Sequence, residues 1–154
     1  MALQIGDKIP EVLGINQEGK TVNAADFAGS KLVLYFYPKD STPGCTAEAC
    51  SFRDNYQYLI KKGYKILGVS VDDEKSHQKF IAKYELPFDL IADTEKTLVN
   101  LFGVWAEKTM AGRRYMGILR TTFIVDEKGV IREIIDPKSI KTKEHAEQIL
   151  EIEK

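Results

Sequence analysis

The chain has 154 residues, 44% hydrophobic and 29% charged, which suffices for one soluble domain with a real core and gives no reason for a second. Lysine and arginine number 22 against 23 acids, for a net charge of −1 with both signs interspersed, which excludes the basic footprint of a nucleic-acid or membrane-surface binder. No stretch approaches ~18 consecutive apolar residues and no signal-type segment opens the chain, so the expected address is the cytoplasm.

Short alternating segments around 11–15 and 20–23 flank Gln17-Glu18-Gly19 and predict an N-terminal β-hairpin extension. The run KLVLYFY predicts a buried strand over 31–37, followed by a helix over 43–62. A strand over 65–71, a helix over 75–84, a strand over 88–92 and a short helix over 94–102 continue a βαβ series. Residues 103–117 read as irregular. TTFIVD-EKG-VIREII then gives two strands joined by a glycine turn, and 142–152 a closing amphipathic helix. Parallel strands followed by an antiparallel pair predict an α/β fold: a mixed central sheet with helices on both faces.

Both cysteines lie at the passage from the first long strand into its helix. Cys45 opens that helix, where the dipole and unpaired backbone N–H groups favour thiolate over thiol. Helical phasing places Cys45 on an apolar stripe with Ala49, Phe52, Tyr56 and Leu59, and Cys50 toward Asp54, Gln57 and Lys61. Residues five apart in a wound helix have Cα atoms roughly 8 to 9 Å apart, beyond the ~7 Å a disulfide tolerates. The two can pair only if the first turns melt, so the spacing points to a switch rather than a staple. A structural zinc would need four ligands, and His77 and His145 stand at unmatched positions; Cys-x-x-Cys is absent. Both histidines read as solvated side chains in polar helical contexts, and Trp105 as a core or edge aromatic.

The pattern Pro38-x-x-x-Thr42-x-x-Cys45 resembles the active-site signature of the peroxiredoxins, thioredoxin-fold thiol peroxidases. FYPKDSTPGCTAEAC, GVWAEK at 103–108 and GILRTTFIVDEKG at 117–129 extend the resemblance to the bacterioferritin comigratory protein, or Q-type, branch, end to end. The resemblance implies one thioredoxin-like domain over 1–154, acting without a cofactor. It implies Cys45 as peroxidatic nucleophile and Cys50 as resolving cysteine, closing an intramolecular disulfide. Arg120 is implied beside the thiolate, where a fixed cation stabilises both sulfur and leaving oxygen. Thr42 would orient the peroxide, the Gly44 and Cys45 N–H groups would add donors, Pro38 would shield the thiolate, and Glu48 would support the polar network. The implied substrates are hydrogen peroxide and organic hydroperoxides, the implied reductant thioredoxin or a similar dithiol, and the implied state a monomer. Two alternatives stay open on the residues: a general thiol-disulfide oxidoreductase, and a redox sensor or holdase that melts a helix on oxidation.

Overall fold

The computed structural model describes residues 2–152. Fourteen strands and α-helices follow in chain order among them. They are β1 (Val12–Ile15), β2 (Thr21–Asn23), β3 (Lys31–Phe36), α1 (Pro43–Asp54), α2 (Tyr56–Lys61), β4 (Tyr64–Ser70) and α3 (Glu74–Tyr84). The series continues with β5 (Asp89–Ala92), α4 (Thr97–Leu101), β6 (Trp105–Met110), β7 (Arg113–Ile118), β8 (Thr121–Val125), β9 (Ile131–Ile135) and α5 (His145–Ile152). Short 3₁₀ turns occupy Ala24–Phe27 and Thr142–Glu144.

The central sheet has the order β5-β4-β3-β8-β9, with β3, β4 and β5 parallel and β8 and β9 antiparallel, which is the expected mixed sheet. The continuous apolar run of β3 follows from burial on both faces. Leu32, Leu34 and Phe36 pack with α4 and the β1–β2 hairpin, whereas Val33, Tyr35 and Tyr37 face α1, α2, α3 and α5. In β4, Gly68 is required by close packing: a Cβ there would lie 2.7 Å from Leu90 Cδ2 and 2.9 Å from Tyr35 Cζ.

Three expectations are corrected. The helix over 43–62 is two helices, because Asn55 turns its backbone out of helical geometry (φ −107°, ψ 12°) and its side-chain amide donates to the Ser51 carbonyl. The irregular stretch contains a six-pair antiparallel hairpin, Trp105↔Ile118 through Met110↔Arg113, standing apart from the central sheet. Its two-residue turn has positive φ at both Ala111 (52°) and Gly112 (80°). Alanine rarely takes that conformation, so the Asn-Gly type of hairpin signal is missing.

The third correction concerns the histidines, both of which are fully buried. His145 begins α5; its Nδ1 donates to Gln148 Oε1 at 2.9 Å, and in the neutral ring Nε2 accepts from the Thr122 hydroxyl at 2.7 Å. Burial pushes its pKa down to about 4 against the raising effect of the Gln148 hydrogen bond, and the Arg120 charge lowers it further. A base with a depressed pKa takes up its proton more readily unfolded, so its stabilisation is lost as pH falls from 6.5 toward 4. Relative to His145→Gln, the wild type should lose up to roughly 3 kcal/mol over that window. Urea melts of both proteins at pH 7.5, 5.5 and 4.5 check this; parallel pH dependences would refute it.

Candidate active site

The site forms where β3 ends against β8. The register Phe36↔Thr121 sets Arg120, the residue before β8, beside the point at which the chain leaves β3 for the loop 38–42. Pro43 takes the first helical position of α1, where its missing N–H costs nothing. Thr42 precedes it in extended conformation but does not cap the helix with its side chain; its hydroxyl donates instead to the Lys39 carbonyl at 2.9 Å. The first intrahelical bond runs from Thr46 N–H to the Thr42 carbonyl, so the N–H groups of Gly44 and Cys45 have no partner within the helix.

Cys45 is 1% exposed, and its Sγ accepts a hydrogen bond from Arg120 Nη2 at 3.5 Å. Arg120 Nη1 donates to Glu48 Oε1 at 2.7 Å. One guanidinium thus bridges a sulfur and a carboxylate that lie one turn apart on α1. Gly44 makes room for it, since a Cβ there would stand 3.1 Å from Arg120 Nη2.

Glu48 has no solvent exposure, and its Oε2 has no hydrogen-bond partner, lying 3.8 Å from the neutral His145 Nε2. Burial pushes its pKa up to about 7, with the Arg120 charge and hydrogen bond opposing. Burial likewise acts against the Arg120 cation, but Glu48 and the Cys45 sulfur together outweigh it and raise the arginine's pKa.

Pro38, Thr42, Gly44 and Arg120 all line a cavity of about 500 Å³ above the thiol. Its far wall is the β6–β7 hairpin, including Trp105, Lys108, Met110 and Met116. Trp105 is half-buried and packs on the core, as expected of it, with Lys96 Nζ 5.4 Å from its ring. Sequence reasoning missed this wall because the hairpin itself was missed. Lys108 is the polar member of that wall: it donates to the Ile118 carbonyl at 2.9 Å, and burial followed by the Arg120 charge lowers its pKa. The signal for it was the GVWAEK string, whose last residue it is.

Cys45 and Cys50 are both free thiols on one unbroken helix, Cys45 buried and Cys50 half-buried, so the site is in its dithiol form. Among the described residues, Asp40, Asp72 and His77 place donor atoms within 4.8 Å of one another, a spacing that would suit a metal ion. Hydrogen bonds already occupy those atoms: Asp40 Oδ2 with His77 Nδ1 at 2.7 Å, and Asp72 Oδ2 with the Asp40 N–H at 2.8 Å. The donor set does not fit a resident metal.

The AhpC/TSA family model matches residues 5–134. A putative peroxiredoxin Bcp of Coxiella burnetii is 46% identical over 134 residues, covering 87% of this chain and 89% of that protein. Peroxiredoxin Bcp of Bacillus subtilis is 43% identical over 151 residues, covering 98% and 95%. Among solved structures, a cysteine-to-serine mutant of PrxQ from Xylella fastidiosa superposes with a TM-score of 0.88 at 33% identity, covering 99% of this chain and 96% of that one. The bacterioferritin comigratory protein of Xanthomonas campestris, described for its alkyl peroxide reduction activity, gives 0.83 at 36% identity, covering 95% and 96%. Sequence and fold are thus shared along nearly the whole chain with these proteins, and the chain belongs to the AhpC/TSA family as a thioredoxin-fold thiol peroxidase of the Bcp, or Q-type, peroxiredoxin branch.

Proposed function

We propose that Cys45 is the nucleophile of this peroxidase, an assignment carried by the Arg120 guanidinium lying 3.5 Å from its sulfur at the start of α1. The Arg120 charge favours the thiolate before attack and the oxygen that departs during it. The sulfur attacks one peroxide oxygen, an S–O bond forms and the O–O bond breaks. The leaving oxygen takes up a proton and departs as water or an alcohol, while Cys45 becomes a sulfenic acid. The Thr42 hydroxyl proton is engaged by Lys39, so its lone pairs are available to accept from the peroxide O–H. The Gly44 and Cys45 N–H groups supply donors, and Pro38 with the hairpin wall limits water access. Glu48 holds the guanidinium from the opposite side.

Cys50 then attacks the sulfenic sulfur; an S–S bond forms and the hydroxyl leaves as water with the Cys50 proton. Two residues five apart on a wound helix are too distant for this, so α1 unwinds locally around Cys50. A dithiol reductant of the thioredoxin type returns two electrons to the disulfide. Hydrogen peroxide and organic hydroperoxides are the substrates, the latter supported by the apolar cavity wall and by the activity described for the Xanthomonas campestris relative. The working unit is a single-domain cytoplasmic monomer without a cofactor.

Cys45→Ser should abolish peroxide consumption, whereas Cys50→Ser should keep the wild-type rate of first oxidation but stop thioredoxin-driven turnover. Stopped-flow Trp105 fluorescence with mass analysis separates the two half-reactions, and full steady-state turnover by Cys45→Ser would sink the assignment. Arg120→Ala should slow the first oxidation about 10² to 10³-fold, the usual cost of removing one donor to a developing oxyanion. The variant should still fold, because Glu48, already displaced to about 7, can take a proton once its partner is gone. A loss below tenfold in single-turnover kinetics would remove Arg120 from the mechanism.

A further inference from the structure

His77 lies on the first turns of α3, fully buried, with no part in the cavity above the thiol. Its Nε2 is 2.9 Å from the Ile91 carbonyl of β5. A carbonyl can only accept, so Nε2 carries a proton. Its Nδ1 is 2.7 Å from Asp40 Oδ2, and a nitrogen and an oxygen that close, with no other cation between them, share a proton as well. A neutral imidazole has only one N–H, already given to Ile91. The pair therefore holds one proton more than a neutral ring facing a carboxylate.

The surroundings place that extra proton on the ring. Asp40 Oδ1 accepts from the Tyr37 hydroxyl at 2.6 Å and Oδ2 accepts from Ser76 Oγ at 2.8 Å, both favouring the ionised carboxylate. Asp72 stands on the other side, its Oδ2 accepting from the Asp40 N–H at 2.8 Å and from Ser70 Oγ at 2.7 Å. Tyr37 remains a neutral donor, since burial and then the Asp40 charge raise its pKa well above 10.0. Asp73 caps α3, its Oδ1 accepting from the Ser76 N–H at 2.9 Å.

This network grips the loop that leads to the nucleophile. Asp40 precedes Thr42 by two residues, and between them Ser41 adopts a positive φ of 64°, a left-handed conformation that is strained for a serine and needs support from outside. The strand β3 ties to Asp40 through Tyr37, β4 through the Ser70–Asp72 pair, and α3 and β5 through His77. Fixing Asp40 fixes the turn at Ser41, and with it the Lys39 carbonyl that receives the Thr42 hydroxyl.

We propose that Asp40 and His77 are a positioning pair for peroxide reduction, a buried proton-sharing clip that holds the Ser41 turn so that Thr42 and the first N–H groups of α1 meet the peroxide in register. The inference rests on Cys45 being the nucleophile, and the two can fail separately. Displacing an orienting group by about 1 Å costs on the order of 10²-fold in rate. Asp40→Ala and His77→Ala should therefore slow the single-turnover oxidation of Cys45 by about that factor at temperatures where circular dichroism shows both folded. Asp40→Asn, whose amide can donate to a neutral His77 Nδ1 and still accept from Tyr37, should recover most of the loss. In the reduced wild type at pH 7, nitrogen NMR should find both ring nitrogens of His77 protonated, a measurement needing no variant to fold. A His77 nitrogen without a proton, or alanine variants that oxidise at the wild-type rate, would overturn the proposal. Failure of the underlying reading shows elsewhere, as peroxide consumption that survives Cys45→Ser.

Discussion

Arg120 is the group on which the site depends, because it makes two otherwise unfavourable burials tolerable at once. Taking a carboxylate fully out of water costs several kcal/mol even after relaxation, and Glu48 has no solvent exposure at all. The guanidinium repays part of that through a 2.7 Å bond, and its second nitrogen reaches the sulfur of Cys45. The three side chains are distant in sequence, 72 and 75 residues separating Arg120 from its partners. Antiparallel pairing of β3 with β8 brings them together, and a one-residue slip of that register would turn Arg120 to the other face of the sheet.

The proposed cycle would place opposite demands on α1, a rigid Cys45 at its start and a local unwinding around Cys50. Its buried face, Cys45, Ala49 and Phe52, packs against β3 and holds the helix to the sheet. Farther along, Ser51 Oγ accepts from the Ala146 N–H and the Arg53 guanidinium donates to the Tyr84 carbonyl. Those contacts lie beyond Cys50, and the Asp40 network lies before Cys45, so both flanks of the segment are pinned; between them Arg120 holds Cys45 and Glu48, and Ala49 is buried in the core. Opening at Cys50 therefore has to start from its half-buried side, and its free energy is set by how many of those ties are given up. Asn55 sharpens the division by ending α1 at Asp54, which keeps α2 and its buried Leu59 out of any unwinding around Cys50.

What the sequence revealed and what it hid divide along physical lines. The order of buried strands was legible because β3 is apolar at every position after Lys31, and the helical stripe of Cys45, Ala49, Phe52 and Leu59 because its spacing survives the break at Asn55. Resemblance supplied Arg120, which nothing local distinguishes from a surface charge; only long-range register makes it a site residue. The β6–β7 hairpin was lost because its residues are mostly exposed or half-buried and its turn uses alanine. The histidines misled through their neighbours: Ser76 and Gln78 flank His77, yet His77 stands three and four residues before Phe80 and Ile81, on the apolar face of α3. His145 stands four before the buried Ile149 in the same way. A buried histidine on such a face is stabilised by specific hydrogen bonds, and these are invisible until Thr122, Gln148, Asp40 and Ile91 are brought into place.

Glu48 and His145 also explain why a site with two strained titratable groups need not make the protein acid- or base-sensitive near neutrality. Glu48 has a raised pKa, so the folded state holds its proton more tightly, and that stabilisation is lost as pH rises from 4.5 toward 7. His145 has a depressed pKa, and its stabilisation is lost as pH falls from 6.5 toward 4. The slopes oppose one another over the shared window, 4.5 to 6.5, and largely offset. Above it Glu48 is the one of the two that still titrates, and its ionisation strengthens its hold on Arg120. The fold therefore bears the cost of a buried carboxylate in the range where that carboxylate is paired with the guanidinium that touches the Cys45 sulfur.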